Sequence, residues 1–192
     1  MTKNILASIA AGALLFGAGG GAAWAQSNNA LTKKDQRFLQ QDAHGSAYEK
    51  AISELATQKA TTPRIKQFAQ RDISDHATLD QQARQIAQQN NMILSTNLTQ
   101  KQHRHVNDLK ALNGPAFDQA YVNDMRTINR NDMNKFQKEA NNTRNQQVKQ
   151  FAEHAQSLDQ THENLVQGLQ TAQNGSSGDM QANSAAGTAA NH

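Results

Sequence analysis

Apolar side chains recur at steps of three and four along most of this chain, with Gln, Asn and charged residues between them. One stripe reads Ile65, Phe68, Asp72, His76, Leu79, Ala83, Ile86. A second reads Val148, Phe151, Ala155, Leu158, His162, Leu165, Leu169, and a third Phe117, Tyr121, Met125, Ile128, Asp132, Phe136. A looser one passes through Phe38, Gly45, Ile52, Leu55 and Ala56. That period places each set on one face of an α-helix. No segment alternates with period two, so no sheet is expected. The stripes and their punctuation predict helices over 32–60, 63–90, 99–112, 115–141 and 143–172. Pro63 and Pro115 suit a first helical turn, where the missing N–H is no loss. Thr62 is a candidate N-cap. Thr99 with Gln102 makes a capping box. Asn113-Gly114 reads as a stop, and Asn141-Asn142-Thr143 as a turn with its own cap.

Four single-striped helices bury their stripes together as a four-helix bundle, so the fold class is all-α. Ile65-Lys66-Gln67-Phe68-Ala69 returns as Val148-Lys149-Gln150-Phe151-Ala152, early in the second helix of each pair. The bundle therefore reads as two helical hairpins, over 32–90 and 115–172, joined by a long connection carrying a short helix. An antiparallel neighbour needs only a few linking residues. The connection, residues 91–114, spans roughly 40 Å, enough to run the length of the bundle as in ferritin-like folds with one crossover. An up-down-up-down bundle with a decorated loop is the other arrangement, and the connection length favours the crossover.

The start of the chain has a different pattern. Lys3 precedes an apolar run from Ile5 to Phe16, then a Gly/Ala stretch, then Ala23-Trp24-Ala25. A basic start, a short apolar core and small residues at −3 and −1 predict a signal peptide over 1–25, cleaved after Ala25. The run is too short for a retained membrane anchor. With no cysteine after it there is no lipoprotein site, so the expected destination is the periplasm, with outer-membrane association left open. Residues 26–31 read as a flexible N-terminus, 32–173 as the bundle domain, and 174–192 as a disordered low-complexity tail beginning near Gly175-Ser176-Ser177-Gly178.

Composition narrows the function classes. The 192 residues include no cysteine, which excludes disulfides, thiolate metal sites and cysteine nucleophiles. Loss of Lys3 lowers the net charge of +3 to +2, and Lys and Arg are scattered, so no nucleic-acid-binding stripe forms. The mean hydropathy of −0.80 argues against a polytopic membrane protein. No glycine-rich phosphate loop and no nucleophile arrangement is present, so the chain leans toward a non-enzyme, with a hydrolase or oxidase left open because fold alone does not fix function.

The chemical signal lies in the polar residues of the stripes. Asp72 is one turn before His76, and Asp159 three residues before His162, so each pair shares a helix face. Glu49 stands beside Ile52 and Leu55, and Asn129 and Asp132 beside Ile128. Counted from the nearest hairpin turn at about 1.5 Å per residue, Glu49, His76, Asn129 and Asp159 reach similar depths, with His162 about 6 Å deeper. Carboxylates and imidazoles converging inside a bundle form metal sites, and they also form structural hydrogen-bonded clusters. The metal candidates are Glu49, His76 and His162, supported by Asp72, Asn129 and Asp159. The cofactor is then either none or one divalent ion such as iron, zinc or copper. His103 and His105 diverge on the short helix, His44 and His154 are expected in solvent, and Met125 is expected in the core.

The elements Asp75-His76 and Phe117-Asp118-x-x-Tyr121 stand in order with Phe38, Glu49, Leu55-Ala56, Phe68-Ala69, Leu79, Gly114, Met125, Phe136, Phe151-Ala152 and His162. In this order the chain resembles the bacterial exported family called domain of unknown function 4142. The resemblance implies a ferritin-like helical bundle, an envelope location without an assigned activity, and Glu49, His76 and His162 as inward polar positions. The chain departs from that family's pattern at Asn129, where a histidine is usual, and at Gln156-Ser157, where Leu-Pro is usual. Three functional readings follow: a structural or protective envelope bundle, a metal-binding bundle, and a module that docks an envelope partner on its Gln/Asn faces.

Overall fold

The computed structural model describes residues 30–187, with side chains to residue 171. Its helices are α1 (Lys33–Lys59), α2 (Pro63–Gln89), α3 (Gln100–Ala111), α4 (Gly114–Asn142) and α5 (Gln146–Gly187), and no strand occurs among the described residues. The expected signal peptide lies outside them, as do the side chains of the expected tail.

Local chemistry sets most helix ends. Thr32 and Asp35 form a capping box at α1, and Thr99 and Gln102 another at α3. Thr62 is the N-cap residue of α2, but its side chain makes no capping bond there and donates to Asp118 of α4 instead. Gly114 does not close α3, which already ends at Ala111. With φ at +60° it turns the chain into α4, a conformation glycine adopts without strain. The last turn also differs from expectation. Helix α4 runs through Asn142, and Asn145 rather than Thr143 caps α5, its Oδ1 accepting from the N–H groups of Gln147 and Val148, each at 3.0 Å.

Contacts between helix ends fix the topology. The start of α1 meets the end of α4, where Lys34 pairs with Glu139 at 2.8 Å and Thr143 Oγ1 donates to Asp35 at 2.7 Å. The end of α2 meets the start of α5 through Gln147 and Gln89 at 2.6 Å. At the opposite pole the α1–α2 turn meets the start of α4 through Asp118. Helices α1 and α5 thus run one way and α2 and α4 the other, and residues 90–113 return along the whole bundle, the expected crossover. The crossover is strapped to α1. Gln40 exchanges hydrogen bonds with the backbone of Ser95, the ring of His44 contacts Asn97 O at 2.6 Å, and Gln102 donates to His44 O at 3.0 Å. His44 is therefore half-buried under the strap and not in free solvent.

The core divides into two apolar clusters. Ile52, Ala56, Ile65, Phe68, Phe117, Tyr121, Met125 and Val166 fill the pole at the α1–α2 turn. Phe38, Leu39, Leu79, Ile86, Phe136, Val148 and Phe151 fill the other, where the rings of Phe38, Phe136 and Phe151 meet edge to face. The repeated pentapeptides occupy equivalent places, with Ile65, Phe68 and Ala69 buried at one pole and Val148, Phe151 and Ala152 at the other. On α5 the buried face is rotated from the expected stripe. Asp159, His162, Glu163 and Val166 turn inward, Leu158 is only half-buried, and Leu165 is 39% exposed. Polar groups here displace leucines from the interior.

Candidate metal centre

Those polar groups belong to a layer between the two apolar clusters. Each long helix contributes near its middle: Asp42, Ser46 and Glu49 from α1, Asp72 and His76 from α2, Asn129 from α4, and Asp159 and His162 from α5, all buried. Half-buried Asp132 and Lys135 of α4, 3.0 Å apart, stand at its rim.

Asp72 lies between the two imidazoles. Its Oδ1 is 3.6 Å from His76 Nε2 and 3.4 Å from His162 Nδ1. The ligand atoms of Asp72, His76 and His162 all fall within 4.8 Å of one another. Glu49 Oε2 joins them at 3.2 Å from His76 Nε2. The other oxygen of Asp72 is fixed: Ser53 Oγ donates to Oδ2 at 2.7 Å, and Ser53 in turn meets the Tyr121 hydroxyl at 2.8 Å. His162 Nε2 is occupied as well, by Asp75 Oδ2 at 3.0 Å.

The inward atoms of this cluster have no hydrogen-bond partner. They are Glu49 Oε2, Asp72 Oδ1, both ring nitrogens of His76, and His162 Nδ1; Asp159 Oδ2 and both side-chain atoms of Asn129 share the condition. Glu49 and His76 are close enough for an ion pair but not aligned for an N–H···O bond. Buried polar atoms without partners are rare in native folds, because each has lost its water without replacement.

The electrostatics carry the same imprint. Burial works against every charge in the layer. For His76 it is outweighed by the charge of Glu49, which raises the imidazole well above its usual range, and Glu49 is correspondingly lowered. Asp72 is raised, chiefly by burial. Burial, with the negative charges of Glu49 and Asp132, pushes Asp159 up to about 9. Asp42 is pushed up to about 7 by burial, against the pull of Lys135. The layer thus holds more acids than its donors and cations offset, and the raised acids among them favour the protonated form.

The family model for a domain of unknown function, DUF4142, matches residues 21–169. The chain belongs to that family. Neither a curated protein nor a solved structure matches it. No helix among the described residues is long and apolar enough to cross a membrane.

Within this DUF4142 chain the structure rearranges the ligand set expected from sequence. Asp72, expected only in support, touches both imidazoles. Asn129 and Asp159 are buried in the same layer but stand outside the group of converging donors. Spacing alone did not single out three residues. Asp75 lies beside His76 in the chain and reaches His162 on α5; its signal was Arg71, four residues before it and 3.2 Å away. Asp42 precedes Glu49 by two helical turns on the same face. Ser53 is a small polar residue that only the fold could place against Asp72. His105 binds Asp124 at 2.7 Å and His154 binds Gln82 at 2.9 Å, both away from the layer.

Proposed function

We propose that this chain is an exported periplasmic protein whose ferritin-like bundle holds a divalent transition-metal ion in its central layer. Asp72, His76 and His162 are the core donors, and Glu49 completes the set. The observation that carries the reading is a group of buried oxygens and ring nitrogens without hydrogen bonds: Asp72, His76 and His162 converge from α2 and α5, with Glu49 of α1 beside His76. Leaving such atoms unpaired costs about 1–3 kcal/mol each, more when charged. One cation satisfies them together. Two carboxylates balance a 2+ charge, and two imidazoles with two carboxylates suit Zn²⁺ or Fe²⁺ better than Ca²⁺ or Mg²⁺, which take all-oxygen sets. Export is supported by Lys3, the Ile5–Phe16 run and Ala23-Trp24-Ala25, and N-terminal sequencing of the mature protein checks it, with Gln26 expected first.

The test of the metal site uses protein purified without a His-tag, stripped with chelator, then titrated with Zn²⁺ or Fe²⁺. One ion per chain is expected, lost in His76→Ala and His162→Ala. Absence of bound metal at every loading overturns the reading. The contact of Glu49 with His76 at 3.2 Å favours a second reading, a metal-free structural or protective bundle of the envelope that uses this pair as an internal ion pair; that outcome would support it.

A further inference from the structure

We propose that Asp75 is a positioning residue of this centre: it fixes the His162 ring so that Nδ1, not Nε2, is the atom presented to the metal. The inference rests on the metal-binding reading above and adds a residue and a ligand atom to it.

The geometry fixes the ring tautomer. His162 is fully buried on α5, and its Nε2 meets Asp75 Oδ2 at 3.0 Å in good hydrogen-bond alignment. Arg71 Nε donates to the same oxygen from one turn earlier on α2, at 3.2 Å. A carboxylate beside a guanidinium is an acceptor only, so the proton of this bond belongs to His162 Nε2. In the neutral form that a metal ligand takes, the imidazole has one N–H, and the lone pair then sits on Nδ1. That lone pair faces Asp72 Oδ1 at 3.4 Å, with no hydrogen bond at either atom. Two electron-rich atoms buried this close repel each other until a proton or a cation comes between them. By holding the proton on Nε2, Asp75 thus leaves Nδ1 as a bare ligand atom beside Asp72 Oδ1.

Consecutive residues of α2 divide the work. His76 points its own ring into the layer, while Asp75, about 100° around the helix, reaches the ring that α5 supplies. The two imidazoles differ as a result. His162 is braced from behind, whereas neither nitrogen of His76 has an aligned partner. His162 is the preset ligand and His76 the adaptable one.

Metal-bound histidines commonly donate their second N–H to a carboxylate, and loss of that partner costs ~10–100-fold in affinity. Zn²⁺ affinity, measured by competition with a chelator of known strength, is therefore expected to fall ~10–100-fold in Asp75→Ala. A smaller fall is expected in Asp75→Asn, which keeps an acceptor and loses the charge, and partial recovery in Asp75→Glu. Imidazole ¹⁵N resonances of the metal-free protein provide a readout that a merely structural role would not move. Wild-type His162 is expected to carry its proton on Nε2, and Asp75→Ala to show a mixture of tautomers. Arg71 is exposed and Asp75 half-buried at the edge of the bundle, so the variants are expected to fold. Should Asp75→Ala not, Arg71→Ala weakens the same brace and is expected to shift affinity the same way. If Asp75→Ala binds Zn²⁺ as tightly as wild type while His162→Ala binds none, the positioning role is overturned and the metal site stands. If wild type itself binds no Zn²⁺, both fall.

Discussion

At the α1–α2 turn, Asp118 accepts four hydrogen bonds, from the N–H groups and hydroxyls of Thr61 and Thr62, at 2.6–3.0 Å. Halfway along the bundle, Asp159 Oδ2 accepts none. Both carboxylates are buried, at 3% and 1% exposure. Burial raises the affinity of each for a proton. At Asp118 the threonine donors outweigh burial and hold the acid below its ordinary range, as they do for Asp35 at the opposite pole with Thr32 and Thr143. At Asp159 no donor intervenes, and the neighbouring charges of Glu49 and Asp132 add to burial. A carboxylate at a pole is a cap, supplied with donors by the free N–H groups of a helix start. In the middle of a bundle every backbone N–H is already taken by the helix. Acids placed there must find side-chain donors, a proton or a cation.

The comparison breaks most visibly through pH, in metal-free protein kept in chelator. Asp159 has a folded pKa of about 9 against an ordinary 3.8. Between those values the folded chain keeps a proton that the unfolded chain has released. Stability therefore falls as pH rises through that window, with a slope approaching ~1.4 kcal/mol per pH unit for one such group. Asp159→Asn removes the group, so the variant should match wild type near pH 4 and exceed it increasingly toward pH 8 in urea unfolding. Parallel pH profiles for the two proteins would mean that Asp159 is ionised inside the fold and that the layer holds donors for it.

The opposite sign is expected at the pole. Asp118→Ala removes four hydrogen bonds and leaves the start of α2 without its cap, a loss of about 2–4 kcal/mol at pH 7. Because the folded pKa of Asp118 is lowered, its contribution is complete above pH 3.8 and is lost as pH falls through the folded value. The gap between wild type and variant should narrow in acid, whereas that for Asp159→Asn widens toward alkali. An Asp118→Ala protein as stable as wild type would remove the contrast between pole and middle.

The poles were legible in the sequence because caps and stripes are local. Thr99 with Gln102, the two prolines and the spacing of Phe38, Phe68, Phe136 and Phe151 each depend on residues within a turn or two. The crossover was legible from the length of residues 91–114 alone. The middle was legible only in part. That His76 and His162 turn inward followed from their stripes, but which carboxylate lies between them depends on how α2 is rotated against α5. That rotation comes from packing across the whole interface, which the hydrophobic pattern of α5 misreported by placing Leu158 and Leu165 inside. Asp75 stood out in the sequence only as part of the Asp75-His76 element, and its contact with His162 was hidden for a related reason. It sits one position off the buried stripe, where an acid reads as solvated surface until α5 brings a ring to it.

The smallest effect is the most direct test of whether the middle of the bundle is arranged for something other than stability. Asn129 is fully buried on α4, and neither its Oδ1 nor its Nδ2 has a hydrogen-bond partner. In a layer evolved only to hold the helices together, a polar side chain here would be paired, and its replacement would cost stability. In a layer that forfeits stability for a bound ion, an apolar side chain of similar size should relieve the desolvation penalty. Asn129→Leu is therefore expected to stabilise the metal-free protein by about 1–2 kcal/mol, since removing an unsatisfied buried group recovers most of its cost and the slightly larger side chain returns some of it as strain. The measurement is urea unfolding in chelator at pH 7. A loss of stability there, with an unchanged slope against urea, would show that Asn129 is paired in solution and that the layer resembles the poles after all. A gain in the metal-free protein, together with Zn²⁺ binding retained at Asp72, His76 and His162, would separate the cost of the layer from the donors that justify it.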